Sequence, residues 1–262
     1  MYYCGIDIGS TTSKTVIIDE DKNIKNFSLI HTKFDRDASG REVLQNAIDE
    51  MGIKREDIAY IVSTGYGRRS LSFYDKASPE IICHALGTCH LVPGVRTIID
   101  IGGQDSKVIS LDENGMILKF EMNDKCAAGT GRFFEVLTGR LLNVDMDELG
   151  EMAMKSDNPS VISSMCTIFA ESEIISFLSE GVPKEDIVYG MVLSIARRIV
   201  AMGRAGQITF EEPIVFSGGV GGNIGAFKAF EKILKKRPMG LENPQITGAL
   251  GAALIAHKEY QK

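Results

Sequence analysis

Several features that assign a chain to the membrane or nucleic-acid-binding classes are missing from this sequence. It has no run of about 20 apolar residues, the length that a membrane-spanning helix requires. Its net charge is −6, and its densest basic run, Lys235-Lys236-Arg237, is short enough to be the solvated end of a helix. We therefore expect neither a membrane nor a nucleic acid as a partner.

Cysteine is also scarce, because only five occur among 262 residues. Five irregularly spaced cysteines are too few for a disulfide framework, so we expect free thiols or metal ligands. The first residues predict a strand and not a signal peptide. We accordingly expect a cytoplasmic protein, and its length allows two domains or one large one.

A short motif occurs twice in the chain. Residues 7–14 have the sequence DIGSTTSK, and residues 100–107 have the sequence DIGGQDSK. Each copy follows an apolar run and leads into a second β-rich run, which predicts a strand, a tight turn and a second strand. A hairpin tip rich in Gly, Ser and Thr presents backbone N–H groups to an anion, and an Asp at the end of the entering strand can hold a metal ion through water.

One copy of this motif alone is better explained as an ordinary hairpin. Two copies agree at Asp, Ile, Gly, Ser and Lys and share the same strand context. Two such tips facing each other can hold a polyphosphate from both sides. The repeat therefore predicts a nucleotide site built by duplication.

Apolar periodicity predicts that strands alternate with helices, as in an α/β protein with mixed-sheet lobes. A third glycine-rich turn, at 217–223, follows a short strand at 214–216 and opens a helix. Its missing Cβ atoms allow a flat ligand such as adenosine to approach, although Gly-Gly after a strand often only turns the corner. The predicted helices span 41–51, 79–91, 130–143, 167–179, 184–204, 223–234 and 245–260, and a buried strand spans 58–62.

The order of these loops, two hairpins and then Ser-Gly-Gly, resembles the actin-like ATPase superfamily, which includes sugar kinases and acetate kinases. The resemblance spans the whole chain and implies an α/β, two-lobed, ribonuclease H-like fold with duplicated mixed-sheet lobes. In that fold the nucleotide lies between the lobes, and ATP turnover opens and closes the cleft. We expect a first lobe at 1–95, with a C-terminal helix at 245–262 packing back on it, and a second lobe at 96–244.

Two cysteines of the second lobe, Cys126 and Cys166, each precede a predicted helix. A helix N-terminus stabilises a thiolate and lowers the pKa of the thiol. The alternative is that both thiols are buried as small hydrophobic groups, which is the commoner state of a lone cysteine. The small, polar neighbours of both residues argue against that alternative.

The segments around these cysteines closely resemble the activators of 2-hydroxyacyl-CoA dehydratases, also called archerases. Residues 64–68, 100–105 and 248–254 resemble that family as well. The resemblance implies that Cys126 and Cys166 hold one [4Fe–4S] cluster shared across a homodimer. The count agrees, because such a cluster takes four thiolates and a two-fold axis supplies two from each chain.

The same resemblance implies an anaerobic ATPase coupled to electron transfer. It would bind Mg-ATP, dock on a partner enzyme and pass it one electron of low potential. The partner would be a 2-hydroxyacyl-CoA dehydratase, a benzoyl-CoA reductase-like system or another iron–sulfur reductase, and the donor a ferredoxin or flavodoxin. Met165 stands where related activators commonly have Thr, beside the cluster, which would alter hydrogen bonding to sulfur.

Individual residues take roles in that mechanism. Asp7 and Asp100 would position Mg²⁺ through water. Gln104 would orient the attacking water, by analogy with glutamines of other NTPases, and Asp105 is the second choice, as a base. The residues expected to hold phosphates are Gly9, Ser10, Thr11, Thr12, Ser13, Lys14, Gly102, Gly103 and Gln104. Those expected to border the adenosine are Gly218, Gly219 and Asn223, with Gln245 a weaker candidate.

Three alternatives remain open at this point. A small-metabolite kinase of the same fold would need a substrate pocket with a carboxylate base, and it would leave Cys126 and Cys166 unexplained. A nucleotide-controlled scaffold or filament has no assembly motif in its favour. A zinc site at Cys83-His84 and Cys89-His90 would need a spacing that these residues do not have, and Cys4 is expected in the core.

Overall fold

The strands form two mixed sheets in the computed structural model, which describes residues 1–123, 130–146, 148–162 and 167–262. In the first sheet the order is β3-β2-β1-β4-β5. β1 pairs antiparallel with β2 and β2 with β3, whereas β4 lies parallel to β1 and β5 parallel to β4. These strands are β1 (Tyr2–Ile8), β2 (Thr12–Ile18), β3 (Ile24–His31), β4 (Ile58–Thr64) and β5 (Lys76–Ala77).

The second sheet repeats this topology in the order β8-β7-β6-β9. β6 pairs antiparallel with β7 and parallel with β9. Met239 forms a parallel bridge to Val215, at the position that β5 occupies in the first sheet. The strands are β6 (Thr97–Ile101), β7 (Ser106–Leu111), β8 (Ile117–Asn123) and β9 (Ile214–Ser217).

Helices and helical turns follow the strands in each half of the chain. A 3-10 turn at Arg55–Asp57 precedes β4, and a π-helical turn at Thr138–Leu142 continues α3. The helices are α1 (Arg36–Met51), α2 (Glu80–Leu91), α3 (Gly131–Leu137), α4 (Leu149–Lys155), α5 (Thr167–Ser179), α6 (Lys184–Ala205), α7 (Ile224–Leu234) and α8 (Thr247–Tyr260). None of the helices in the described ranges is long and apolar enough to cross a membrane.

The chain forms two compact units. The first comprises Met1–Val95, Leu111–Ile117 and Asn243–Lys262, and the second comprises Arg96–Ser110 and Leu118–Glu242. In the first unit, α1 covers one face of the sheet, whereas α8 packs on the other face and against α2. In the second unit, β6, β7 and β9 share a larger core with the helices α3 to α7.

Small residues allow α8 to pack closely, as its Gly/Ala-rich sequence predicts. A Cβ on Gly251 would overlap the Cys83 carbonyl, and a Cβ on Gly87 would overlap the Thr247 carbonyl. The backbones of α2 and α8 therefore approach too closely for any side chain at these two positions. This contact holds the first turn of α8 in a defined place beside β1.

Most of the helices and strands predicted from periodicity are confirmed, with shifted ends. The helix predicted from residue 41 begins five residues earlier, because the Asp35 side chain caps it by accepting a hydrogen bond from the Ala38 N–H. The last helix begins at Thr247 and not at Gln245. β3, β5, β8 and α4 were not predicted. β3 and β8 are edge strands whose side chains are exposed or half-buried, apart from Ser28, so no buried run marks them.

Candidate nucleotide site

The first hairpin places a buried carboxylate beside a lysine. Asp7 lies opposite Lys14 in the β1–β2 pairing, so both side chains leave the sheet on the same side. The Lys14 Nζ lies 3.4 Å from Asp7 Oδ2, and the Asp7 side chain is buried. The hairpin closes through a hydrogen bond from the Gly9 N–H to the Thr12 carbonyl, 3.1 Å.

The second hairpin has the same register with an additional carboxylate. Asp100 lies opposite Lys107, and the Gly102 N–H donates to the Asp105 carbonyl at 2.9 Å. The Lys107 ammonium is 3.1 Å from Asp100 Oδ2 and 2.7 Å from Asp105 Oδ2. Lys107 is only 3% exposed, against 13% for Lys14, so the second hairpin holds its cation more deeply.

A glycine of positive φ lies against the carboxylate in each unit. Gly65 follows β4 with φ 85°, and Gly218 follows β9 with φ 82°. A Cβ on Gly65 would overlap Asp7 Oδ1, and a Cβ on Gly218 would lie 3.0 Å from Asp100 Oδ1. Ser217 also donates to Asp100 Oδ1 at 2.7 Å. The duplication therefore extends from the hairpins to the loop that follows the neighbouring parallel strand.

The tips of both hairpins carry unused backbone donors. Within the described ranges, the N–H groups of Ser10, Thr11, Gly103 and Gln104 donate to no backbone carbonyl. Adjacent backbone N–H groups at a loop tip form an anion-binding concavity. These donors, with Lys14 at the first hairpin, fit the phosphate role predicted for the two loops.

The carboxylates fit a magnesium ion that keeps most of its water. Mg²⁺ is commonly held by one or two carboxylates plus phosphate oxygens and water, and not by a cage of protein ligands. The described part of the chain contains no group of three or more His, Cys, Asp or Glu side chains placed to hold a metal ion. Asp7 and Asp100 are the carboxylates that the two hairpins supply.

The second hairpin is hydrogen-bonded to the start of α3. The Gly131 N–H donates to the Gly102 carbonyl at 2.8 Å, and the Arg132 N–H donates to the Gly103 carbonyl at 2.9 Å. The two carbonyls belong to the hairpin tip, so a displacement of the tip is transmitted to the first turn of α3. Gly131 follows Cys126 by five residues in the chain.

The residues predicted to border the adenosine have different local roles. Position 218 requires a glycine, because a Cβ there would overlap the Ile101 carbonyl of the neighbouring strand. A Cβ on Gly219 would meet nothing within 4 Å. Asn223 caps α7 by accepting a hydrogen bond from the Ala226 N–H at 3.1 Å. Gln245 lies in the other unit, half-buried in the turn before α8. A groove of about 1170 Å³ in the second unit is lined by residues of α4, α6, α7 and the segment after α7, and its described lining includes none of these four residues.

The two candidates for orienting water differ in their freedom. Gln104 is exposed at the tip of the second hairpin, where its amide can reach a bound ligand. Asp105 is held by the Lys107 ammonium at 2.7 Å, so its carboxylate is already occupied. The role of either residue in orienting the attacking water stays a prediction.

The predicted cluster ligands Cys126 and Cys166 lie outside the described residues, as does Met165. Of the remaining cysteines, Cys4 and Cys83 are buried. Burial raises the pKa of the Cys4 thiol to about 12 and that of Cys83 to about 11. Buried thiols of high pKa are poor metal ligands.

The whole chain can be compared with known proteins. A family model described as the BadF/BadG/BcrA/BcrD ATPase family matches residues 4–256. The chain belongs to this ATPase family. As expected from the three loops, members with solved structures share its duplicated, actin-like ATPase fold.

Members of the family with similar sequences are named as dehydratase activators. The activator of lactoyl-CoA dehydratase from Anaerotignum propionicum is 47% identical over 262 residues, which is 100% of each chain. The solved activator of 2-hydroxyisocaproyl-CoA dehydratase from Clostridium difficile, with bound ADPNP, has a TM-score of 0.93 and 45% identity, covering 100% of this chain and 96% of that one. Component A of (R)-2-hydroxyglutaryl-CoA dehydratase from Acidaminococcus fermentans has a TM-score of 0.95 and 41% identity, covering 100% of both. These comparisons do not favour the kinase alternative.

Several residues around the two carboxylates were not predicted from the sequence. Lys107 and Ser217 bind Asp100, and Gly65 lies against Asp7. The sequence did contain a signal for Gly65. Thr64-Gly65 and Ser217-Gly218 are the same pair, a hydroxyl residue and then a glycine, at the end of a buried strand. The closeness of Gly248, on α8, to Asp7 had no counterpart in the sequence pattern.

Proposed function

We propose that this protein is an ATP-dependent electron-transfer activator. In this proposal a [4Fe–4S] cluster bridges a homodimer, and a low-potential electron passes from it to a partner enzyme. The partner is a 2-hydroxyacyl-CoA dehydratase or a related iron–sulfur reductase. The names of the similar family members and their full-length match support the choice of partner.

The observation that carries the proposal is the hydrogen bonding between the second hairpin and α3. An activator must link its nucleotide site to its electron carrier. The Gly102 and Gly103 carbonyls, at the predicted phosphate loop, accept hydrogen bonds from Gly131 and Arg132, which follow Cys126 closely in the chain. A nucleotide held by this loop would therefore act on the segment that bears a cluster cysteine.

In the proposed reaction both hairpins serve one Mg-nucleotide. The N–H groups of the tips and Lys14 would hold phosphates, and Asp7 and Asp100 would be the carboxylates that hold the magnesium ion through water. Magnesium would supply charge neutralisation at the β- and γ-phosphates. Gln104 orients the attacking water.

Cys126 and Cys166 are the proposed cluster ligands. Two cysteines per chain and one two-fold axis supply the four thiolates that the cluster requires. Cys4 and Cys83 do not compete for this role, because burial keeps their thiols protonated near neutral pH. The cluster would supply the low-potential electron.

The other components of the proposal follow from this chemistry. The electron donor is a ferredoxin or flavodoxin, since both carry single electrons at low potential. The location is the cytoplasm, where thiols remain reduced. The reaction is anaerobic, because dioxygen would take the electron before the partner does.

The test is purification of the chain without oxygen, followed by iron analysis and light scattering. The homodimer should contain about four irons and absorb broadly in the visible range. It should reduce a 2-hydroxyacyl-CoA dehydratase only when ATP is added. Cys126→Ala and Cys166→Ala should each remove the chromophore, whereas the matched variant Cys89→Ala should keep it.

Two results would contradict the proposal. A colourless Cys89→Ala protein together with a coloured Cys126→Ala protein would refute the ligand assignment. Reduction of the dehydratase at the same rate with and without ATP would refute the activator function.

A further inference from the structure

A buried histidine connects α2 to the first turn of α8. His84 is 7% exposed, and its Nδ1 shares a hydrogen bond of 3.0 Å with the Thr247 hydroxyl. Thr247 is fully buried at the start of α8. The ring lies against α8, with its Nδ1 at the Thr247 hydroxyl and its Nε2 beside Gly248.

The other side of the ring faces the site carboxylate. A Cβ on Gly248 would lie 3.0 Å from Asp7 Oδ2 and 3.3 Å from His84 Nε2. The carboxylate oxygen and the ring nitrogen therefore border the same small space, which exists only because residue 248 has no side chain. The negative charge of Asp7 also reaches this helix, since it is one of the factors that raise the pKa of the neighbouring Cys83 thiol, after burial.

Asp7 is thus surrounded by groups from four elements. Gly65 lies against its Oδ1, whereas Lys14, Gly248 and His84 lie on the side of its Oδ2. The distance of 3.4 Å from Lys14 Nζ to Oδ2 is longer than an ordinary N–H···O hydrogen bond of about 2.9 Å. Lys14 alone therefore does not determine the orientation of the carboxylate.

We propose that His84, held by Thr247, is a positioning residue for Asp7. It keeps Oδ2 from turning fully onto Lys14, so that the carboxylate remains available to the water shell of the magnesium ion. This inference rests on the proposed function, because it takes Asp7 as a carboxylate that faces Mg-nucleotide. Groups behind a metal-binding carboxylate commonly change metal affinity by about 10- to 100-fold when they are removed.

The experiment measures binding by calorimetry and does not require turnover. ADP is titrated into native protein and into each variant, once with Mg²⁺ and once with EDTA. His84→Ala should lower the Mg²⁺-dependent gain in ADP affinity by about tenfold. ADP affinity in EDTA should stay within about twofold, because the phosphate donors of the hairpins are unchanged. The matched control is His90→Ala, an exposed histidine on the same helix.

Two further variants separate positioning from folding. His84→Gln retains an N–H donor and should recover most of the Mg²⁺ effect. Thr247→Val, which removes only the hydroxyl, should resemble His84→Ala, and the double variant should be no worse than either single one, because both act through the same ring.

The possible failures are distinguishable. If native protein does not bind ADP at all, the proposed function fails before the inference is tested. If His84→Ala weakens ADP binding equally with and without Mg²⁺, or behaves like His90→Ala, then His84 only packs α2 on α8 and the inference is overturned. Loss of the Mg²⁺ effect in His84→Gln to the same extent as in His84→Ala would also overturn it.

Discussion

At the scale of single residues, the site depends on two carboxylates that differ in their surroundings. Asp7 has one lysine at 3.4 Å, whereas Asp100 has Lys107 at 3.1 Å and the Ser217 hydroxyl at 2.7 Å. Asp100 is therefore held in place by more direct bonds than Asp7. The two residues have the same proposed role, but Asp7 depends more on its neighbours for orientation.

Removal of either carboxylate should impair the same reaction. Asp7→Ala and Asp100→Ala should each reduce Mg²⁺-dependent ATP turnover by about tenfold or more, because each removes a group facing the metal. Asp21→Ala, at an exposed turn, is the control. A normal hydrolysis rate in either site variant would mean that only one hairpin serves the nucleotide.

The buried thiol of Cys83 predicts a pH dependence of stability. Its pKa is raised to about 11, chiefly by burial, from an ordinary value near 9. A raised pKa means that the Cys83 thiol keeps its proton to a higher pH in the folded state than in the unfolded state. The stabilisation is therefore complete below about pH 9 and is lost as the pH rises toward 11.

Denaturant unfolding at pH 8, 9 and 10 checks this expectation. The free energy of unfolding should fall across the upper step, with a contribution from Cys83 of at most about 1.4 kcal/mol per pH unit. Cys83→Ala should show a shallower fall between pH 9 and 10. An identical slope in native protein and in this variant would show that Cys83 ionises as freely in the folded chain as in the unfolded one.

At the scale of secondary-structure elements, two hydrogen bonds form a joint between the tip of the second hairpin and the start of α3. The two carbonyls of the tip accept from the first two residues of the helix, so loop and helix move together. Gly131 is close-packed there, because a Cβ would lie 3.2 Å from the Gly102 carbonyl. An added methyl group would press on the Gly102 carbonyl and lie 3.5 Å from the Gly103 Cα, so it should loosen this joint.

Gly131→Ala should consequently weaken the coupling between the two sites while keeping both. ADP should bind within about threefold of native affinity, and the iron content should be unchanged, but the effect of ATP on iron release should be smaller. One extra methyl group in a well-packed place usually costs about 1–3 kcal/mol of stability, so the protein should still fold. Gly139→Ala is the matched control, since a Cβ there would meet nothing within 4 Å. Equal ATP responses in the two variants would exclude the joint as the route of coupling.

At the scale of the whole molecule, the proposed function requires nucleotide state and redox state to influence each other. If ATP shifts the reduction equilibrium, reduction must shift nucleotide affinity by the same factor. A nucleotide that favours one conformation by about 5.5 kcal/mol could change a one-electron potential by roughly 240 mV. Nucleotide control of the electron is thus energetically feasible.

The measurement is iron release to a chelator from reduced protein, with ATP, with ADP and without nucleotide, alongside a redox titration. ATP or a non-hydrolysable analogue should change the potential or the rate of release. Gln104→Ala should retain this response and lose hydrolysis, because the role proposed for the Gln104 side chain is to orient water and not to hold the nucleotide. Identical potentials and release rates in every nucleotide state would leave ATP to act only on partner docking.

The sequence by itself determined the duplicated plan of this protein. The spacing of Asp and Lys in the two motifs is equal, and antiparallel pairing converts equal spacing into the same register, with Asp7 opposite Lys14 and Asp100 opposite Lys107. The buried faces of α1 and α6 could also be predicted, because apolar residues recur there at helical spacing. These features depend on neighbours along the chain or on the partner strand of a hairpin, which a short segment already specifies.

Only the tertiary structure decided what surrounds the carboxylates. His84 and Gly248 are 164 positions apart and meet at Asp7 because the glycines of α2 and α8 allow two helix backbones to touch. Gly131 meets the second hairpin because the chain returns to it after β8. The edge strands β3 and β8 were not predicted either, because their side chains are exposed or only partly buried and the strands are stabilised by pairing with β2 and β7. Contacts between distant segments depend on packing, and no local pattern of residues records that.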